Sequence, residues 1–195
     1  QNKLLRMCLQ AHYIGAAMTE LTATPSVDEI IERFKSGDLH DLCDATEAAI
    51  HEGGGFGWLT TPPREALERF WKGVLVVPER RLFVARLDGV VCGSAQLIRP
   101  NRNNEAQSHS AQLTTTFIAP WARGHGLSKL LTTSVLDAAK ASGVRVINLD
   151  VRETQQAAIA LYRSLGFVEF GKHPYYALVN GEYVPGLYFT KDLSA

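Results

Sequence analysis

The chain has 195 residues, 46% apolar and 21% charged, which suits one domain with a core, or one domain plus an arm. Lys plus Arg (20) equals Asp plus Glu (20), so the formal net charge is zero and no basic excess is available for a nucleic-acid-binding face. Cys8, Cys43 and Cys92 form neither a disulfide framework nor a CxxC metal pair, which points to a reducing, cytoplasmic setting without a metal, and no apolar run approaches the roughly 20 residues of a membrane span.

Residues 1–25 read as an N-terminal arm, helical up to about Thr22 and closed by a Thr-Ala-Thr-Pro-Ser linker, with the main domain over 26–195. Leu4 to Leu21 is amphipathic, carries Arg6, His12 and Glu20, and lacks the small-residue cleavage pattern of a secretion signal. Residues 28–35 (DEIIERFK) fit a strand or a helix, because a short apolar run does not set the period. Asp38 to His51 reads as a helix with Leu39, Leu42, Cys43, Thr46 and Ile50 near one face, ending before Gly53-Gly54-Gly55. Thr61-Pro62-Pro63 opens a second helix, since proline fits a first turn, and Ala66, Leu67, Phe70 and Trp71 are its expected buried face.

The period then changes. Arg81–Leu87 and Val90–Ile98 read as strands joined by the Asp88-Gly89 hairpin turn. Pro100–Ser108 is a polar loop, and Ala111–Ala119 a third strand closed by Pro120. Gly126–Ser142 is a long helix with Leu127, Leu130, Leu131, Val135 and Ala138 at helical spacing and Gly143 as its cap. Val144–Val151 is a strand, Thr154–Leu165 a helix with Thr154 as N-cap and Gly166 as terminator, and Val168–Leu193 two strands around Asn180-Gly181. This order predicts an α/β fold with helices on both faces of a mixed, mostly antiparallel sheet holding one central parallel strand–helix–strand crossover.

The chemistry concentrates in Phe117-Ile118-Ala119-Pro120-Trp121-Ala122-Arg123-Gly124-His125-Gly126-Leu127-Ser128, where a strand runs through a Gly-containing turn into a helix. A helix start presents unpaired N–H groups and partial positive charge, glycines let a phosphate approach the backbone, and Arg123 adds a forked donor. The turn alone also fits an ordinary strand–helix connection. Gly124-x-Gly126-x-x-Lys129 with Asp150 downstream fits two of the three glycines of a dinucleotide fingerprint, but behind an antiparallel meander rather than in a first parallel unit.

The segment Arg123-x-x-Gly126-x-Ser128 resembles the pyrophosphate-binding motif of the GNAT superfamily of N-acetyltransferases, with Ser128 in place of the last Gly or Ala. Ala158-x-x-Leu161-Tyr162-x-x-x-Gly166-Phe167 is similar to a second motif of that family, with Gln155 where an Asn is usual. The likeness covers about residues 28–195. Gly-Gly-Gly-Phe-Gly-Trp, Ser94-Ala95-Gln96-Leu97 and the Asn180-Gly181 to Tyr188-Phe189 ending resemble the tabtoxin-resistance type of small-molecule acetyltransferase.

The resemblance implies a GNAT fold and a reaction that moves the acetyl group of acetyl-CoA to the primary amine of a small molecule, an amino acid or an antibiotic- or toxin-like amine, by direct attack in a ternary complex. It implies that Phe117, Ile118 and Ala119 pair with the pantetheine arm. Arg123, Gly124, His125, Gly126, Leu127, Ser128 and Gln155 are then cofactor residues, and Tyr162 is the proton donor to the leaving thiolate. An alkyl ammonium near pKa 10 must lose a proton before attack. Asp150 is the candidate acceptor, directly or through water, with His109, Glu52 and His51 as spares. Some relatives carry a Glu where Gln112 aligns, and an amide is no base. Phe56, Trp58, Gln112 and Tyr176 are expected to bind the acceptor, with Tyr175 or Tyr183 as further walls. The alternatives are a non-catalytic acyl-CoA-binding module, a dinucleotide enzyme, and an acetyltransferase for protein N-termini or lysines. The arm and the final hairpin are expected to support a homodimer.

Overall fold

The computed structural model describes residues 23–54 and 57–194, so the expected arm helix and Phe56 lie outside the described residues. Asp88 (φ 51°) with Gly89 (φ 85°) and Asn180 (φ 53°) with Gly181 (φ 85°) take positive φ at both central positions, the turn whose twist matches an antiparallel pair. They close two hairpins: β2 (Arg80–Leu87) with β3 (Val90–Ile98), and β6 (Val168–Val179) with β7 (Glu182–Asp192). Of the ambiguous run 28–35, only Asp28 to Ile30 is strand, as the end of β1 (Pro25–Ile30), antiparallel to β2, and 31–35 is neither strand nor helix. Ion pairs help to hold it there: Glu29 accepts from Arg81 at 2.7 Å and Asp28 from Arg86 at 2.7 Å.

With β4 (Ser110–Ile118) and β5 (Val146–Arg152), the sheet order is β1-β2-β3-β4-β5-β7-β6, antiparallel throughout except for β4 and β5. Helices α1 (Asp38–His51) and α2 (Arg64–Leu75) cover one face. Their core packs Leu42, Leu67 and Trp71 on Leu82, Val84 and Phe117. On the other face, α3 (Leu127–Ala141) and α4 (Gln156–Ser164) pack Leu131, Val135 and Ile159 on Phe83, Leu97, Ile147 and Phe189. The α3 stripe runs at i, i+4 from Leu127 through Leu131 and Val135 to Ala139, which turns Leu130 outward, 39% exposed, against expectation. The N-cap of α4 is Gln155 rather than Thr154, and no side chain bonds the helix start. Among the described residues no helix is long and apolar enough to cross a membrane.

Two features of β4 create the space for a site. Its parallel contact with β5 lasts only from Ser110–Val146 to Gln112–Asn148, after which the strands part. Its register against β3 shifts between Ser94 and Gln96, where Thr115 takes φ 51°. Left-handed backbone at a β-branched residue costs on the order of 1–3 kcal/mol. Ser94 Oγ, fully buried, donates to Thr115 O at 3.2 Å and helps to hold the bulge.

Candidate active site

Where β4 and β5 diverge, a cleft of about 480 Å³ opens between β4, the α3 start and α4. Among the residues expected at the cofactor and catalytic site, Phe117, Ile118, Arg123, Gly124, Gly126, Leu127, Ser128, Gln155 and Tyr162 line this one cleft. Gly124 (φ 86°) and Gly126 (φ 72°) make the turn, and a Cβ on either would meet nothing within 4 Å. The backbone is therefore bare on that side. The first N–H of this end bonded within the helix is that of Leu130, to Gly126 O at 3.1 Å, so the Leu127, Ser128 and Lys129 amides are left as donors. Bare amides, a helix start and Arg123 suit a pyrophosphate, so these residues fit acetyl-CoA.

The mouth of the cleft is crossed by the end of α1. Arg123 Nη1 donates to Glu52 Oε2 at 2.6 Å, Gln155 Nε2 to Gly53 O at 3.1 Å, and Arg152 Nη2 to Gly54 O at 3.1 Å. Glu52, a spare base candidate in sequence, is thus the partner of the phosphate-side arginine. Two expected cofactor residues stand apart. The Ala119 N–H donates to Cys92 O at 2.7 Å and its side chain is fully buried, so β3 takes the donor that was expected to pair with the pantetheine arm. His125 Nδ1 lies 3.2 Å from Ala122 O, folding the ring back on its own turn.

Tyr162 is 6% exposed at the cleft wall, packed edge-on against Phe167 with ring centroids 5.7 Å apart. Burial pushes its pKa above the ordinary phenol value, and a hydrogen bond with Thr116 offsets part of that rise. The hydroxyl is a retained proton.

A second pocket, about 570 Å³, sits on the α1/α2 side of the sheet, lined by Gly57, Trp58, Phe70, Arg80, Ile98, Thr114, Thr115 and Tyr176. Trp58 meets Phe70 edge-to-face with centroids 4.9 Å apart. Thr114 and Thr115 line this pocket and Thr116 and Phe117 the cleft, so the bulge is the partition between them. Asp150 is in neither lining. It accepts from Gln112 Nε2 at 2.9 Å and from the Tyr176 hydroxyl, and with Gln112 it lines a third hollow of about 370 Å³. Burial, then the bond to Asp150, raises the Tyr176 pKa well above that of a free phenol. Three of the predicted residues, Gln112, Asp150 and Tyr176, are one hydrogen-bonded group. Sequence reading missed Thr115, Thr116 and Arg80 as site residues. Arg80 lies one residue before the strand read in sequence, Arg81–Leu87, and the structure begins β2 with it.

The model of the Acetyltransferase (GNAT) family matches residues 40–167. An uncharacterized N-acetyltransferase in the hisH-hisA intergenic region of Azospirillum brasilense is 63% identical over 139 residues, 71% of this chain and 80% of the relative. YncA of Salmonella typhimurium with acetyl-CoA superposes with TM-score 0.71 at 17% identity, covering 87% of this chain and 94% of that one. A phosphinothricin acetyltransferase of Sinorhizobium meliloti in complex with acetyl-CoA does so with TM-score 0.71 at 21% identity, covering 89% of each chain. At those identities the two structures share the fold. The family match spans both the phosphate turn and the Tyr162 helix, and the chain therefore belongs to the GNAT family, as an N-acetyltransferase that takes its acetyl group from acetyl-CoA.

Proposed function

We propose that the acceptor is the primary amine of a small molecule, acetylated by direct attack in a ternary complex. The observation that carries this reading is the second pocket. It is walled by Trp58 and Phe70, and it meets the cofactor cleft at the Thr115 bulge. A space of about 570 Å³ lies within the usual range for small-molecule sites. Two of the three stretches that resemble the tabtoxin-resistance type bear on it: Gly57 and Trp58 line it, and Gln96 holds one of its lining residues. This supports an amino-acid- or toxin-like amine.

Bound acetyl-CoA supplies an activated acetyl thioester. Its pyrophosphate is held by Arg123 and the Leu127, Ser128 and Lys129 amides. Amides alternate in direction along a strand, so with the Ala119 N–H turned to β3, the Ile118 N–H faces the cleft as the oxyanion donor. Tyr162 holds a proton at Oη on the cleft wall for the departing thiolate. Asp150 receives the ammonium proton through Tyr176 or an intervening water, because both its oxygens already accept hydrogen bonds inside the sheet.

The test is calorimetric titration with acetyl-CoA, followed by a panel of small amines and short peptides with release of free coenzyme A thiol as the readout. Turnover of small amines supports the reading. Turnover confined to peptide N-termini or lysines transfers it to a protein acceptor, and binding without turnover on any amine reduces the chain to a cofactor-binding module.

A further inference from the structure

Three arginines of β2 have contrasting surroundings. Arg81 forms a two-pronged pair with Glu29, at 2.7 and 2.8 Å. Arg86 is held by Asp38 at 2.8 and 2.9 Å and by Asp28 at 2.7 Å. Arg80, at the strand's start, has no carboxylate at ion-pair distance among the described residues. Part of the reason is topological: β1, which carries Asp28 and Glu29, ends at Ile30 opposite Leu82, so nothing on β1 faces Arg80.

Arg80 instead donates from Nη1 to Gln96 Oε1 at 2.8 Å and lines the acceptor pocket. Gln96 is fully buried, and its Nε2 has no partner among the described residues. A buried amide nitrogen without a partner is a cost that native folds rarely carry outside functional sites. Here the geometry spends it on fixing one guanidinium: with its oxygen committed to Arg80, the Gln96 amide leaves the remaining forked donors of Arg80 for another group. The same pocket has Tyr176 in its wall, with the Asp150 carboxylate behind the hydroxyl. Its polarity therefore runs from a guanidinium on β2 to a carboxylate-backed phenol on β6.

We propose that Arg80 anchors a carboxylate of the acceptor, so that the acceptor is an amine that also carries an anionic group, of which a free amino acid is the simplest. The ammonium then lies toward Tyr176 and Asp150, and Trp58 with Phe70 receives the side chain. A guanidinium matches a carboxylate by two parallel N–H···O bonds, and Gln96 is the positioning residue that aims it. This deepens, and rests on, the reading of a small-molecule acceptor.

The test compares matched acceptors: α-amino acids, their methyl esters and the corresponding decarboxylated amines, assayed by thiol release. The wild type is expected to favour the free acids in kcat/KM. Arg80→Met is expected to raise KM for the acids by about 10- to 100-fold, the effect of losing hydrogen bonds to a charged group. It should affect the esters, which keep a carbonyl acceptor but no charge, several-fold less than the acids and leave the acetyl-CoA affinity unchanged, with Arg80→Lys partly restoring the acids. Unchanged acetyl-CoA affinity also reports that the variant is folded, and the wild-type comparison needs no variant. Preference for the esters or simple amines overturns the anchor while leaving the small-amine reading intact. Acetylation of none of the three sets, by protein that binds acetyl-CoA, overturns both.

Discussion

Replacing Tyr162 by Phe isolates one proton. The ring is 6% exposed and packs against Phe167 and Phe189, contacts that phenylalanine preserves. The fold loses only the hydrogen bond with Thr116, about 1 kcal/mol, against a typical total of about 5–15 kcal/mol. For a chain of this length that lowers Tm by roughly 2–4 °C. Loss of a positioned proton donor lowers kcat by about 10²- to 10³-fold. Acetyl-CoA affinity and the acceptor KM stay near wild type, because the hydroxyl acts on the leaving thiolate rather than on ground-state binding. Burial raises the Tyr162 pKa, so the phenol keeps its proton through the neutral and mildly alkaline range. The wild-type kcat therefore shows no loss from Tyr162 ionisation until pH exceeds about 10, the free phenol value. The assay is steady-state thiol release across pH for both proteins, with calorimetry for the cofactor. A Phe variant that keeps kcat within threefold, with the cofactor still bound, refutes Tyr162 as the proton donor.

Arg123→Ala is expected to weaken acetyl-CoA binding by about 10- to 100-fold in calorimetry, through loss of a charge-assisted phosphate contact. Glu52→Gln should have the opposite sign. The Arg123–Glu52 pair is about half exposed on both sides, and such pairs contribute about 0–1 kcal/mol, so freeing Arg123 tightens binding by no more than about fivefold. Gly186→Ala probes Tyr176, because a Cβ there would clash with the Tyr176 ring and push it off Asp150. It should lower kcat/KM for the amine by about 10- to 100-fold without changing acetyl-CoA affinity, and equal kinetics would remove Tyr176 and Asp150 from the acceptor side. Asp38→Asn tests the buried pair with Arg86. The Arg86 guanidinium holds the Asp38 pKa below its ordinary value, so the pair stabilises the fold above about pH 4 and that contribution is lost as pH falls through the lowered pKa. The variant should lose about 3 kcal/mol near neutrality in urea melts, and progressively less in acid; an equal loss at pH 7 and pH 2.5 would contradict the pair.

Local chemistry was legible from the residues alone. Asp88-Gly89 and Asn180-Gly181 specify their hairpins because few residue pairs tolerate positive φ at both positions. The bounds of α1 agree with the reading, and the glycines after Arg123 mark a bare helix start because nothing but a missing Cβ exposes that backbone. The run at 28–35 was undecided in sequence, and pairing with β2 through Asp28 and Glu29 made strand of its first three residues only.

The determinants of the reaction space lie elsewhere. Thr115 has a residue type that disfavours its own backbone conformation, so no local preference announces the bulge; only the register of β4 on β3 imposes it. The union of Gln112, Asp150 and Tyr176 joins β4, β5 and β6 although β7 lies between β5 and β6, because the Tyr176 ring crosses β7 over Gly186, which has no side chain to block it. Arg80 is indistinguishable by type from Arg81 and Arg86. The sequence alone determined the bare turn at the start of α3, since its glycines and consecutive backbone amides belong to one short segment. The tertiary structure decided the second pocket, since its lining comes from strands distant in the chain and the lack of a β1 carboxylate at Arg80 depends on where β1 stops.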